Sequence, residues 1–324
     1  QKWPFIYPGV PSGIRGLEEG YLTQQTISGN ITVNLMSTLG ISCLKSTSNV
    51  KILLRRYNPQ VTKALSSLVD TSEAIRLLSK NKKSNNLKWN QWLSGLIDAD
   101  GCFQLSKKGY ASLEITMDIR DEHALQIIKN RYGGSIKLRS NAKALRYRLH
   151  HKSGLLALIF DVNGLIRNSN RLVQLNKLCD KYELTLVYPE KLDYDNGWLS
   201  GFFDGDGTIT INKSTNQLSI SASQKTAEML QPLIDLYGGN VYIDKGSSLS
   251  FKWYISKRED ILKLIEYFKN YPCRSAKIQR LHLVPRFYEL KDLKAHKALE
   301  GSNLEKSWQI FYKKWLNYEN SSEN

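Results

Sequence analysis

Two aspartates separated by one residue and closed by a glycine occur twice in this 324-residue chain: Asp98 and Asp100 before Gly101, then Asp204 and Asp206 before Gly207. A glycine in that place is the usual stop of a helix C-terminus. A carboxylate beside it faces the negative end of the helix dipole, which costs roughly 0.3–1 kcal/mol. If the two helices meet, Asp100 and Asp206 also repel each other, an arrangement that makes sense when a divalent cation neutralises it. Oxygen-only ligands suit Mg2+, which takes few protein carboxylates and completes its shell with phosphate oxygens and water. Asp98 and Asp204 are expected to hydrogen-bond nearby backbone rather than ligate metal. Other metal chemistry is poorly represented. Cys43, Cys102, Cys179 and Cys273 form no CxxC pair, which argues against a zinc finger or a disulfide scaffold and fits a reducing compartment. The five histidines give no HExxH, and the adjacent pair His150 and His151 lies in a strand-like stretch, where neighbours point to opposite faces.

The elements that must carry the aspartates are duplicated with them. QWLSGLIDADGCF (Gln91–Phe103) returns as GWLSGFFDGDGTI (Gly197–Ile209), 106 residues later. The match continues: Tyr132, Gly133 and Gly134 answer Tyr237, Gly238 and Gly239; Tyr147, Arg148 and Leu149 answer Trp253, Tyr254 and Ile255; Arg171 answers Lys277. A nearly constant offset over about a hundred residues marks a duplicated domain. In each copy a helix ends at the acidic motif, with Gly95 and Ala99, or Gly201 and Gly205, on one face. Such small-residue stripes let two helix backbones approach closely, so the helices are expected to pack on each other about a pseudo-twofold axis. Alternating patterns then predict strands at Cys102–Ser106 with Ala111–Asp118 and at Thr208–Asn212 with Leu218–Ala222. Helices follow at His123–Arg131 and Ala227–Leu236. Second strand pairs come next (Ser135–Arg139 with Leu145–His150; Asn240–Asp244 with Ser250–Ser256), and closing helices at Leu155–Val162 and Glu259–Lys269. The order αββαββα, with strand pairs close in sequence, predicts an α+β fold: an antiparallel sheet per repeat, helices on one face, the other face left for solvent or a ligand.

Composition bounds the partners. With 46 Lys+Arg against 30 Asp+Glu the net charge is +16, and the pI near 9.5 points to a polyanion, nucleic acid before a membrane surface. No run of about 18 uncharged apolar residues is present, which excludes a transmembrane helix; the partner expected is nucleic acid and not a membrane. Residues 1–86 differ from the rest: the segment to Val50 is rich in Gly, Ser, Thr and Asn, short helices are suggested between Val61 and Leu78, and 11 basic against 4 acidic residues give +7. This basic extension is either solvated chain or an arm that adds phosphate contacts. The division expected is 1–86 extension, 87–190 first repeat, 191–318 second repeat and 319–324 tail.

LSGLIDADG and LSGFFDGDG resemble the two signature motifs of the LAGLIDADG homing endonuclease family in its single-chain, double-motif form, over about Trp89 to Tyr318. The run RLHLVPRFYEL (Arg280–Leu290), continued by Lys294, His296 and Lys297, resembles organelle group I intron-encoded members, some of which are RNA maturases for their own intron. The resemblance implies a monomer with internal pseudo-symmetry, whose two sheets form a saddle in the major groove of a double-stranded DNA site. It implies catalytic Mg2+ ligands at Asp100 and Asp206, basic residues near the scissile phosphates at Arg171 and Lys277, and a water-positioning amide at Gln224. The first repeat reads DIRD where SQKT carries Gln224, which places Ile119 at the matching position. Two activities are implied: a site-specific DNA endonuclease of intron homing, or a maturase that stabilises group I intron RNA, with other ribonucleoprotein components as further partners. The location implied is the mitochondrion, ahead of the chloroplast.

Overall fold

The computed structural model describes residues 86–140, 142–245 and 249–320. The N-terminal extension up to residue 85, with its expected short helices, and residues 321–324 of the tail lie outside the described residues. A helix through residues 86–100 (α1) opens the first repeat. Trp89, Trp92, Leu93, Leu96 and Ile97 recur on it at helical spacing, and all are buried. Strands β1 (Gly101–Leu105) and β2 (Ala111–Asp118) follow, then a single 3-10 turn (Ile119–Asp121) and α2 (Glu122–Tyr132). The repeat is completed by β3 (Ser135–Leu138), β4 (Ala144–Leu149), α3 (Lys152–Val162) and α4 (Ser169–Lys181). The second repeat runs α5 (Trp198–Asp206), β5 (Gly207–Asn212), β6 (Gln217–Gln224), α6 (Gln231–Tyr237), β7 (Asn240–Lys245), β8 (Leu249–Ile255), α7 (Arg258–Asn270) and α8 (Ile278–Asp292). A 3-10 turn (Ala295–Lys297) and α9 (Asn303–Asn320) close the described chain.

Each repeat forms one four-stranded antiparallel sheet, in the orders β1-β2-β4-β3 and β5-β6-β8-β7. The fold is α+β, as the alternating patterns imply. Leu113, Ile115, Met117, Tyr147 and Leu149 face the helices in the first sheet; Ile220, Ala222, Trp253 and Ile255 do so in the second, so that each repeat has its own core. The opposite faces are polar. In the first sheet Arg146 and Arg148 flank Glu114, at 3.8 and 3.2 Å, above a recess of about 980 Å3 that Lys137, Arg139 and Lys177 also line. In the second, Thr208 and Thr210 alternate with inward Ile209 and Ile211.

The structure departs from the expected elements in three places. Each repeat has one more helix than αββαββα: α4 and α8 follow the closing helices. Leu172, Leu175, Leu178 and Cys179 give α4 an inward stripe, and the intervening Arg, Asn, Lys and Gln residues dilute it in sequence. The helix expected over Ala227–Leu236 starts at Gln231, because Pro232 suits only a first turn and residues 225–230 form bends and turns ahead of it. Strand pairing also moves the counterpart of Gln224. Gly101 faces Ile115 and Gly207 faces Ala222, so the second hairpin is one residue longer, and Met117, not Ile119, occupies the position of Gln224.

Beyond the duplicated unit, α9 packs on α8 and enlarges the second core through Trp308, Phe311 and Trp315 against Phe287. Buried Arg280 ties them to the sheet, donating to the carbonyls of Ile209 (2.9 Å) and Trp315 (3.5 Å).

Candidate active site at the paired helix ends

Helices α1 and α5 touch backbone to backbone. A methyl group built on Gly95 would lie 2.0 Å from the Trp198 carbonyl oxygen, and one on Gly201 would lie 1.7 Å from that of Trp92. Further along, one on Gly205 would meet Ala99 Cβ at 2.4 Å. Only glycine fits the first two positions, which is the close approach expected of the small-residue stripes.

Two of the four motif aspartates lock this contact. Asp98 accepts from the indole N–H of Trp198 (2.7 Å), and Asp204 accepts from that of Trp92 (2.8 Å), so each repeat supplies the acceptor for the other's tryptophan. The same carboxylates hold backbone in their own repeats: Asp98 takes the N–H of Arg167 and Asn168, and Asp204 those of Arg274 and Ser275. Asp98 and Asp204 are thus buried acceptors of backbone and indole N–H groups. Sequence reasoning anticipates the backbone bonds and misses the tryptophan exchange, although both indoles sit at the same place in the duplicated WLSG.

The other pair behaves differently. Asp100 and Asp206 end the two helices side by side and line one cavity of about 560 Å3. Both hold their protons more tightly than an ordinary carboxyl. Burial pushes Asp100 up to about 6, with Lys277 opposing and Asp121 adding to the shift. Burial and then the neighbouring charge of Asp100 push Asp206 up to about 7, against Lys277, Gln224 and Arg171. A carboxylate pair that destabilises its own ionised state is suited to a divalent cation. Among the described residues no group of three or more His, Cys, Asp and Glu could hold a metal ion, so a cation here would rely on the two carboxylates and on oxygens from outside the protein.

Three further residues converge on this pair. The Gln224 amide N–H, at the end of β6, donates to Asp206 Oδ2. Lys277, preceding α8, donates to the carbonyls of Phe203 (3.0 Å), Asp204 (2.8 Å) and Gly205 (2.6 Å). It thereby satisfies the open C-terminal end of α5 and offsets the dipole that faces Asp206. Arg171, in the first turn of α4, lines a cavity of about 400 Å3 with Asp206 and Gln224; its charge favours ionisation of both acids, and its buried Nε has no hydrogen-bond partner. The five residues singled out in the sequence therefore lie together. Asp121, buried in the 3-10 turn after β2, is a sixth group at the same place that motif reading does not reach. It accepts from the Ala276 N–H at 2.7 Å, and burial raises its pKa.

The sequence profile described as LAGLIDADG endonuclease matches residues 93–182 and again 199–288, the two stretches that build this site. The chain belongs to the LAGLIDADG endonuclease family. Among its relatives, the intron-encoded RNA maturase bI4 of Saccharomyces cerevisiae is 41% identical over 318 residues, which cover 86% of this chain and 50% of that protein. The intron-encoded DNA endonuclease ai2b of Dictyostelium discoideum is 36% identical, over 69% of this chain and 88% of its own length. The chain thus spans about half of the maturase, and 39% of the probable intron-encoded endonuclease aI2 of Debaryomyces hansenii, which is 39% identical to it. The LAGLIDADG fold itself is shared with the homing endonuclease I-GzeII, solved in complex with its DNA target (TM-score 0.55, 18% identity, 70% of this chain and 97% of that one).

Proposed function

We propose that this protein is a site-specific DNA endonuclease of intron homing that makes a metal-dependent double-strand cut. The carrying observation is the acidic pair Asp100 and Asp206, brought together at the ends of two helices in contact. Asp100 and Asp206 would hold Mg2+, and the orphaned Arg171 Nε beside them supports an anionic ligand in the same place. When bound, the cation would supply a water of lowered pKa and electrostatic stabilisation of the leaving oxygen. The chain's own groups prepare for that chemistry. Gln224 orients the Asp206 carboxylate and keeps a second amide N–H or its oxygen for a water. Arg171 and Lys277 bring positive charge to each side of the acids, where it can oppose charge developing on a phosphate. The polar outer faces of the two sheets provide side chains for base edges in the major groove, and the basic ones for phosphates. The relatives named intron-encoded, and the DNA-bound solved neighbours, support the same reading, with a mitochondrial location and a monomeric, pseudo-symmetric chain.

A second reading has its own support: the relative that shares 41% identity over most of this chain is named an RNA maturase. On that reading the basic surfaces bind and stabilise group I intron RNA, with or without retained cutting and alongside other ribonucleoprotein components. One experiment separates the two. Protein and Mg2+ are incubated with the intronless version of the host gene, and intron RNA binding is measured in parallel. A specific double-strand cut establishes the endonuclease; no cut with tight RNA binding establishes the maturase alone.

A further inference from the structure

The two halves of the active site are not equivalent, and the difference is traceable to one backbone amide. Ahead of Lys277, three successive N–H groups are held by carboxylates. Arg274 and Ser275 donate to Asp204 of their own repeat at 2.7 and 3.1 Å, and Ala276 donates across the pseudo-twofold to Asp121 at 2.7 Å. In the first repeat, Arg167 and Asn168 donate to Asp98 in the same way, but the next amide bonded is Asn170, held by Asn168 Oδ1 of its own turn at 3.0 Å. Asp121 lies past β2, in the turn where the offset falls from 107 on the strands to 105 on the helices that follow; the carboxylate that reaches across from the corresponding turn after β6 is Glu228. It is exposed and takes only the Ser169 hydroxyl, at 2.9 Å, whereas Asp121 is 7% exposed. Lys277 is therefore clamped on both sides: its ammonium on three carbonyls of α5, its preceding amide on a buried carboxylate from the other repeat. Arg171 has no such clamp across the twofold.

We propose that Asp121 is a positioning residue for Lys277, which holds that ammonium at one half of the active site and makes the cut of one strand depend on it. The strand-specific part rests on the endonuclease reading; the positioning part does not. A residue that fixes a neighbour through one accepted hydrogen bond should be replaceable by asparagine, whose amide oxygen also accepts from Ala276, and not by alanine. A metal ligand would fail in both forms.

The test uses the full chain as wild type, Asp121→Ala and Asp121→Asn. Acetylation of Lys277 by an amine-reactive ester, followed by mass spectrometry, is measured without DNA or metal. Asp121→Ala is expected to speed it by about fivefold, through more frequent local opening, with Asp121→Asn close to wild type. In parallel, a supercoiled plasmid carrying the target site is digested with Mg2+. Asp121→Ala is expected to slow one strand's cut by about tenfold or more, as misplaced groups do, so that nicked circle accumulates, and Asp121→Asn to restore most of the second cut. Unchanged Lys277 acetylation in Asp121→Ala overturns the proposal, as does an Asp121→Asn variant as impaired as the alanine. If wild type cuts no DNA, the endonuclease reading fails while acetylation still decides the positioning. If Asp121→Ala does not melt cooperatively, hydrogen exchange in the wild type decides: a slow Ala276 amide is expected, and an unprotected one overturns the clamp.

Discussion

Crowded carboxylates give this site a measurable signature. An acid whose folded-state pKa is raised binds its proton in the native chain at pH values where the unfolded chain has lost it. The stability it lends is complete below the ordinary carboxyl value and drains away as pH rises through the folded value. With Asp100 near 6 and Asp206 near 7, the metal-free protein is expected to lose Tm between about pH 4 and pH 7 on account of these two groups. Addition of Mg2+ at pH 8 should recover it, which a melting series with and without the cation checks. Replacing one member, Asp206→Asn, relieves the other and should stabilise the metal-free chain by about 1 kcal/mol, or about 2–4 °C. The same substitution, or Asp100→Asn, should lower double-strand cleavage by about 10²-fold or more while target binding persists. Gel-shift and digestion of one substrate separate the two effects, and wild-type cutting by both variants would remove these residues from the mechanism.

At the level of elements, the α1–α5 contact sets what substitutions the protein tolerates. A methyl on Gly201 would collide with a main-chain carbonyl, which cannot rotate away, so Gly201→Ala should cost roughly 1–3 kcal/mol or more, and Gly201→Leu should abolish the cooperative melt. Trp92→Phe keeps an aromatic ring but leaves part of the buried indole's space empty and takes a donor from buried Asp204, at an expected cost of about 1–3 kcal/mol or more. An unchanged Tm in either case would mean that the helices do not bear on each other there. These elements were open to sequence reading because the duplication checks itself: two glycine stripes, two acidic ends and two strand patterns agree. Asp121 was not, because its neighbour Ala276 is 155 residues away and nothing local marks an aspartate in a turn as an acceptor for it. The counterpart of Gln224 is misplaced by sequence reading for a similar reason: β2 and β6 run at an offset of 107 and the helices after them at 105, a compensating pair of length differences that is invisible until strands pair. The extra helices α4 and α8 carried an amphipathic stripe that their cationic surface residues obscured, and those residues are themselves suited to phosphate contact.

For the whole molecule, the charge of +16 and the polar outer sheets predict that the proposed nucleic-acid binding depends on salt. Residues 1–86 contribute +7 of it, and if they touch phosphates, their deletion should flatten the slope of log K against log salt by about 0.9 per lost contact on duplex DNA and about 0.7 on single strands, leaving sequence preference intact. An unaltered slope for both DNA and intron RNA would leave the extension without a binding role. The Gly95 and Gly201 contact has a consequence of another kind, for inheritance. Because the halves meet through carbonyl oxygens and a reciprocal indole–carboxylate exchange, their fit is written largely in main chain and in a short motif, not in the variable faces of the sheets. A half taken from one relative should dock on a half from another wherever WLSG and the first motif aspartate are retained, and recombination between such genes would then join two unlike reading surfaces on one intact axis.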